Sequence, residues 1–429
     1  MKEFHKEKKI FLGNNYFNFL RSKLVNTNYR GYGMKKFALL TTPILSLGAA
    51  ALFADAHNEH AMAERSFAQQ TSGFVAQQNG QSGNGQNGND QSRDGGYTMP
   101  TREITPEAQP KVTHWADPYI TADFIYWKSY EDGLDYAITG VTPNANNAHH
   151  GSVKVPEFEW ETGFKLGFGL KFRHDGWDLF AQWTWLNEVE AHSHAHASTN
   201  SIIYGSWTPN LIADNGSFDH SAVITNSNGR AHAHWDMRFN ALDLELGRNF
   251  YISRFITLRP HFGFKFGWID QDYHTEYHML ASISQYIEGE NGNEYSIKMD
   301  QDFFGVGLRA GLDAVWYFTK HWGLYGDIAA AALWSDFDNS RKDSFASPTV
   351  PKYHTMRNHN SFFTMTEVVE FGLGFRYDTT FFVGDYEFYL QAGWEEQIWF
   401  NQNQFYDLND DMSGNLTFQG LTVKAGLMF

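Results

Sequence analysis

The chain has 429 residues, enough for one large domain or a few ordinary ones, and it contains no cysteine. That composition excludes a disulfide framework, a thiolate metal site and a thiol nucleophile. Net charge is −16; beyond residue 56 there remain 24 basic against 46 acidic residues, a net of −22. Nucleic acid is excluded as a partner, because phosphate neutralisation needs a basic surface.

Residues 1–33 are basic and precede a second natural start at Met34-Lys35-Lys36, so they read as a start-site extension. An apolar run, FALLTTPILSLGAAALFA, follows over 37–54 and ends in small residues near Ala54-Asp55-Ala56. This is the pattern of a cleaved signal peptide over 34–56. A membrane-spanning anchor is the competing reading, since the run approaches spanning length. Pro43, two Thr and the small-residue exit favour cleavage. Residues 57–117 contain QQNGQSGNGQNGNDQSRDGG, too poor in apolar groups to bury a core, and read as a disordered linker. A spacer role is the simplest; a plug or a cell-wall contact is the alternative.

From residue 118 to 429 the period is two, the mark of half-buried strands. Phe164, Leu166, Phe168 and Leu170 alternate with Lys165, Gly167, Gly169 and Lys171. The same alternation recurs over Trp177–Trp185, Ile256–Trp268, Phe304–Phe318, Val369–Tyr377, Tyr386–Ile398 and Leu421–Phe429. A parity slip near Asn240–Leu242 reads as a bulge. Short connections fall at His174-Asp175-Gly176, near Asn249–Arg254, at Thr319-Lys320-His321 and at Thr379–Gly384. Long ones fall at 129–159, 189–230, 271–302, 337–361 and 401–414, some carrying turn signals such as Asp214-Asn215-Gly216, Asn228-Gly229 and Asn291-Gly292-Asn293.

Mean hydropathy is −0.48, although the chain holds 14 Trp, 37 Phe and 21 Tyr. A membrane barrel reconciles the two, because lipid-facing apolar residues alternate with polar lumen residues. The expected fold is therefore all-β: a transmembrane antiparallel up-and-down β-barrel of about 10–12 strands, with outer-membrane lipid as its surroundings. Ten strands come from walking the chain; Tyr136–Ile138 or Tyr273–Met279 could add more. Trp127, Trp160, Trp235, Trp268, Trp334 and Trp399 are assigned to a loop-side aromatic girdle. Trp177, Phe250, Tyr251, Trp322, Phe381 and Phe429 are assigned to a turn-side girdle.

Parity assigns basic lumen candidates Lys165, Lys171, Arg238, Arg259, Lys265, Arg309, Arg376 and Lys424. Acidic lumen candidates are Asp178, Asp243, Glu245, Asp313, Asp327, Glu370, Glu387 and Glu395. Such a lumen can set ion selectivity by its field. Equally, opposite charges can pair across strands and fill a narrow interior, since ~8 strands are just filled by side chains and wide channels need ~16–18. His192, His194 and His196 share one strand face, and His232 and His234 begin the returning strand. They are candidates for a metal clip or a protonation switch, against the simpler reading of a solvated loop of biased composition. Glu395-Glu396 is not a catalytic pair, because adjacent strand residues face opposite ways. The chain lacks GxSxG, P-loop and HExxH motifs, so no catalytic residue and no cofactor is expected.

Several stretches, ADFIYWKSYEDGLDYA (122–137), HDGWDLFAQWTWL (174–186), LDLELGRNFYISRFITLRPHFGFKFGWIDQDY (242–273), FGVGLRAGLDAVWYF (304–318) and AGWEEQIWFNQNQF (392–405), together with the C-terminal LTFQGLTVKAGLMF, resemble the Legionella-type major outer-membrane protein family. Members also occur in chlamydia-like bacteria. The resemblance implies a pore-forming, porin-like barrel in the bacterial outer membrane, passing small hydrophilic solutes or ions by passive diffusion. It also implies that terminal Phe429 is an assembly signal read by the barrel-assembly machinery. Chlamydial envelope porins are Cys-rich and cross-linked; this chain has no Cys and departs from that pattern. A non-conducting surface adhesin or structural envelope barrel is the alternative function, and homo-oligomer formation is left open.

Overall fold

The computed structural model describes residues 115–429 other than 142–150, 174, 209–210, 213–217, 220–222, 285–286, 289–291, 382–385 and 408–412. The expected start-site extension, signal peptide and nearly all of the linker lie outside the described residues, as does the Asp214-Asn215-Gly216 turn.

Among the described residues ten long strands form the wall: β1 (Ala116–Glu131), β2 (Trp160–Phe172), β3 (Trp177–His196), β4 (Ile224–Arg248) and β5 (Ile256–Ser284), then β6 (Glu294–Tyr317), β7 (Trp322–Ala346), β8 (Tyr353–Phe381), β9 (Tyr386–Asn403) and β10 (Gly414–Met428). Each pairs antiparallel with its chain neighbour. The ring closes between β10 and β1, with Met428 opposite Tyr119 and Leu416 opposite Glu131. Closure is what lipid demands, because an open edge would leave backbone N–H and C=O groups unpaired in hydrocarbon. Phe429 completes this seam: its N–H donates to the Pro118 carbonyl at 3.1 Å, and its ring meets Tyr386 edge-on at 6.1 Å.

The turn-side connections are short, as at Asp175-Gly176, where both residues take positive φ (61° and 69°). On the other side the expected long loops 271–302 and 337–361 are largely strand. β5 and β6 stay paired up to His278 and Glu294, and β7 and β8 up to Phe345 and Tyr353. β3 likewise runs to His196 and β4 starts at Ile224, within the expected 189–230 loop. These walls rise above the lipid, where the outer face no longer has to be apolar, so the signal of a lipid-facing strand weakens while backbone pairing continues. Tyr273–Met279 is part of β5, and Ala137–Val141 is a short loop strand paired with Ser152–Lys154 and Ile202–Gly205. Neither adds to the wall.

The expected bulge at Asn240–Leu242 is corrected by the register. β4 keeps its odd residues inward from Ala231 to Gly247. The irregularity lies on the facing strand, where Asn187 and Glu188 together oppose Arg238, with Glu188 at φ +58°. What changes along β4 is which face is apolar. Trp235, Met237, Phe239 and Ala241 are fully buried inside the barrel, whereas Leu244 lower down faces out and is exposed. Above the membrane the interior is the dry side; within it the exterior is.

The outward belt contains Phe264, Leu308, Ile328 and Phe371, all exposed, as lipid-facing residues must be. Trp160, Trp268 and Trp334 are exposed at its loop side, and Phe250, Trp322, Phe381 and Phe429 at its turn side. Trp127, Trp235 and Trp399 do not join the loop-side girdle. They are fully buried and point inward.

Candidate functional site: a charged vestibule beneath an aromatic layer

Odd-numbered residues of β1 and even-numbered positions such as Asp178 on β3 turn inward, and the lower lumen is lined by many charged side chains interleaved with tyrosines and amides such as Tyr119, Tyr325, Gln182 and Gln391. Arg259 on β5 reaches three strands: Nη2 donates to Asp178 at 2.5 Å, and Nη1 to Glu245 at 3.0 Å and Asp313 at 2.8 Å. Gly247 makes this span feasible, since a Cβ there would sit 2.6 Å from the guanidinium carbon. One layer up, Arg309 donates to Glu370 from Nε at 3.1 Å and also to Glu245. Lys265 lies between Asp243 at 2.9 Å and Glu370 at 2.6 Å. His261 sits beside Asp313 (3.3 Å) and Glu245 (3.7 Å).

Across the barrel, Lys165 meets Glu395 at 2.5 Å, and Thr422 donates to the same carboxylate at 2.8 Å. Lys424 lies 3.6 Å from Asp123, which also accepts from Gln182 at 3.1 Å. Arg376 pairs with Asp378 at 2.7 Å, and Lys171 lies 4.0 Å from Glu387. Taking such charges out of water costs several kcal/mol per ion, and only multiple charge-assisted contacts offset it. These contacts link strands up to three apart around the ring as well as neighbours.

Beneath and between these pairs a cavity of about 1380 Å³ remains. It extends from Asp243, Arg309 and Glu370 down to the turn-side rim at Arg173, Asp175, Lys320 and His321. Its upper boundary is aromatic. Phe418 lies 5.8 Å from Trp127 and 4.6 Å from Phe239; Trp399 lies 5.4 Å from Phe239 and 6.1 Å from Phe303; Phe337 lies 4.9 Å from Phe303. The vestibule cations press on this layer from below, with Lys165 Nζ 4.7 Å from the Trp127 ring centre and Lys265 Nζ 5.5 Å from that of Trp399. Above it, Gln271 donates to Gln402 at 2.5 Å and Gln301 to the Gln402 backbone at 2.8 Å. Arg341 ties the inward-folded loops together by donating to the Tyr406 and Thr208 carbonyls at 3.1 and 2.5 Å.

Every expected lumen residue except Arg238 turns inward, and nearly all of them line this cavity; Lys265 is sealed just beneath Trp399. Arg238 faces out and lies 3.5 Å from Asp270. Its neighbours Met237 and Phe239 are the inward residues at this height. Asp123, His261 and Asp378 belong to the network and were not among the candidates. Asp123 alternates with exposed Phe124 and Ile120, a signal present in the sequence.

The five candidate histidines form one outward patch above the girdle. His194 faces His232 with rings stacked at 4.4 Å, and His192 faces His234. β5 adds His274 opposite His234, and Glu276 and His278 beyond it. Among the described residues no three His, Asp or Glu side chains converge on a point that could hold a metal ion. Glu276, with His274 Nε2 at 3.1 Å and His278 Nε2 at 3.8 Å, is held well below the usual carboxylate range by these imidazoles, and its nearness raises His278. Burial and the neighbouring His194 lower His232. In the next row down, burial and the facing Asp300 push Asp272 up to about 6.

A closed antiparallel barrel with an apolar outer belt, two aromatic girdles and a charged interior is a bacterial outer-membrane β-barrel. Residues 109–429 match the family described as Legionella pneumophila major outer membrane protein precursor, and the chain belongs to that family. No curated protein matches the sequence. Among solved structures it is similar to the outer membrane protease OmpT of Escherichia coli (9% identity over 73% of this chain and 96% of that one, TM-score 0.30). It is also similar to Ail, the attachment invasion locus protein of Yersinia pestis (12%, 74% and 100%, TM-score 0.20). A major outer membrane protein from Thermus thermophilus is a further match (10%, 74% and 100%, TM-score 0.22). At these levels the likenesses carry no functional argument.

Proposed function

We propose that the protein is a narrow porin-like channel that gives ions and small hydrophilic solutes a passive route across the outer membrane. The vestibule carries this reading. A purely structural barrel is filled by its side chains, as ~8-stranded barrels are. Here about 1380 Å³ of charge-lined space stays open within the membrane-spanning height and reaches the turn-side rim. Acidic and basic groups on its wall supply the field that sorts ions. The aromatic layer makes the route a gated one: conduction requires Trp399, Phe239 and Phe418 to part. On this reading the protein is a conduit and not an enzyme, is exported through a signal peptide over 34–56, and presents Phe429 to the assembly machinery.

The aromatic layer and the paired charges favour a second reading, a non-conducting barrel that presents its tall hairpins at the cell surface. Single-channel recording of the folded chain in a planar bilayer, with a salt gradient to read selectivity, separates the two. Small, intermittent steps support the channel. Silence from protein shown to be folded, persisting after the aromatic layer is truncated, refutes it.

A further inference from the structure

The register of β3, β4 and β5 places nine outward-facing residues in a grid of three rows. His192, His234 and His274 form the first row; His194, His232 and Glu276 the second; His196, Arg230 and His278 the third. Seven of the nine positions are histidine. Neither the barrel wall nor the vestibule uses them, since all point away from the lumen, and they stand above Trp268 and outside the lipid belt.

We propose that this grid is a binding site for divalent transition metal ions of the zinc, copper and nickel class. Residues directly opposite across an antiparallel pair have Cβ atoms about 4.5–5.5 Å apart. Two imidazoles at that spacing can turn their nitrogens onto one ion, with metal–nitrogen bonds of about 2.0–2.1 Å. His194 and His232 are such a pair, their rings 4.4 Å apart, and His234 has a histidine opposite it on both sides. Each ion is held by two imidazoles from adjacent strands and completed by water or a carboxylate. Imidazole suits zinc, copper and nickel, while magnesium and calcium prefer all-oxygen sites.

A carboxylate is at hand: the Glu276 oxygens lie 3.1 Å from His274 Nε2 and 3.8 Å from His278 Nε2. In that position Glu276 can orient either ring. Acids border the grid on its membrane side, with Glu190, Asp236 and Asp272 in the adjoining row, and at its corners, where Glu157 lies opposite His192 and Glu294 opposite His278. They offset the charge of a bound dication. The local cations, Arg230 within the grid and Lys298 opposite His274, are fewer.

The test is zinc titration of the folded, full chain by calorimetry, with heat-modified gel migration to verify folding. The expected result is saturable uptake at pH about 7.5 that collapses at about 5.5, where imidazoles carry protons. His194→Gln/His232→Gln/His234→Gln should weaken uptake by about 10-fold or more. His359→Gln, an exposed histidine on β8 outside the grid, should leave it unchanged. Equal zinc uptake by the wild type and the triple variant, or no uptake by folded wild type, overturns the proposal.

Discussion

Replacing Arg309 by Met tests whether the lumen charges hold the barrel together. Arg309 is about nine-tenths buried and contacts Glu370 and Glu245, which belong to two different strands. Removing one partner of a buried pair costs about 3–5 kcal/mol, because it leaves an uncompensated buried charge. Here Glu370 keeps Lys265 at 2.6 Å and Glu245 keeps Arg259 at 3.0 Å, so the loss should fall at the low end, about 3 kcal/mol. Arg238→Met is the internal control. That guanidinium is 58% exposed beside Asp270, and an exposed pair contributes about 0–1 kcal/mol. Equilibrium unfolding in urea from lipid vesicles compares the two variants with wild type. Equal, small effects would refute the claim that the vestibule network is structural and would leave Arg309 free to act on permeating ions.

Trp399→Ala removes the ring that spans from Phe239 to Phe303, and should cost about 3–5 kcal/mol and, on the proposed channel reading, increase openings. Openings no more frequent than in wild type would mean that the barrier lies elsewhere. Gly307→Val should abolish assembly, because even a Cβ at this site would lie 1.8 Å from the Ala332 carbonyl; normal yield of folded protein would contradict the tight β6–β7 approach. Asp272, pushed up to about 6, should be visible as a carboxyl titrating there by carbon NMR, and Asp300→Asn should lower that midpoint. Because the folded value lies above the unfolded one, its contribution to stability is fullest below the unfolded pKa and is lost as pH rises through about 6. A midpoint in the ordinary carboxylate range would remove the argument.

The membrane-spanning wall was legible because lipid enforces alternation. Phe304, Val306 and Leu308 could only face out once Arg309 and Asp313 faced in, and the same logic placed Lys165, Glu370 and Lys424 in the lumen. The upper wall was less legible. Above the girdle the pressure for an apolar exterior vanishes, and the inner face becomes apolar where the loops pack. Trp127, Trp235 and Trp399 were therefore assigned to the girdle by height along the strand, although they face inward and close the lumen. Arg238 was misplaced by the same inversion. The histidine grid was half legible: adjacent returning strands suggested His192–His196 facing His232 and His234, but His274 and His278 sit in a stretch that read as a long connection or, over Tyr273–Met279, as a separate additional strand.

On the channel reading, the lumen is open from the turn side and closed from the loop side by the aromatic layer. The absence of native cysteine permits a direct measurement. Gln391→Cys and Asp327→Cys each place a single thiol on the vestibule wall. A membrane-impermeant maleimide is applied to either face of oriented, folded barrels, and modification is followed by mass. Fast labelling from the turn side and slow labelling from the loop side, with Trp399→Ala equalising the two, is the predicted result. Equal access from both faces in the presence of intact Trp399 would contradict it.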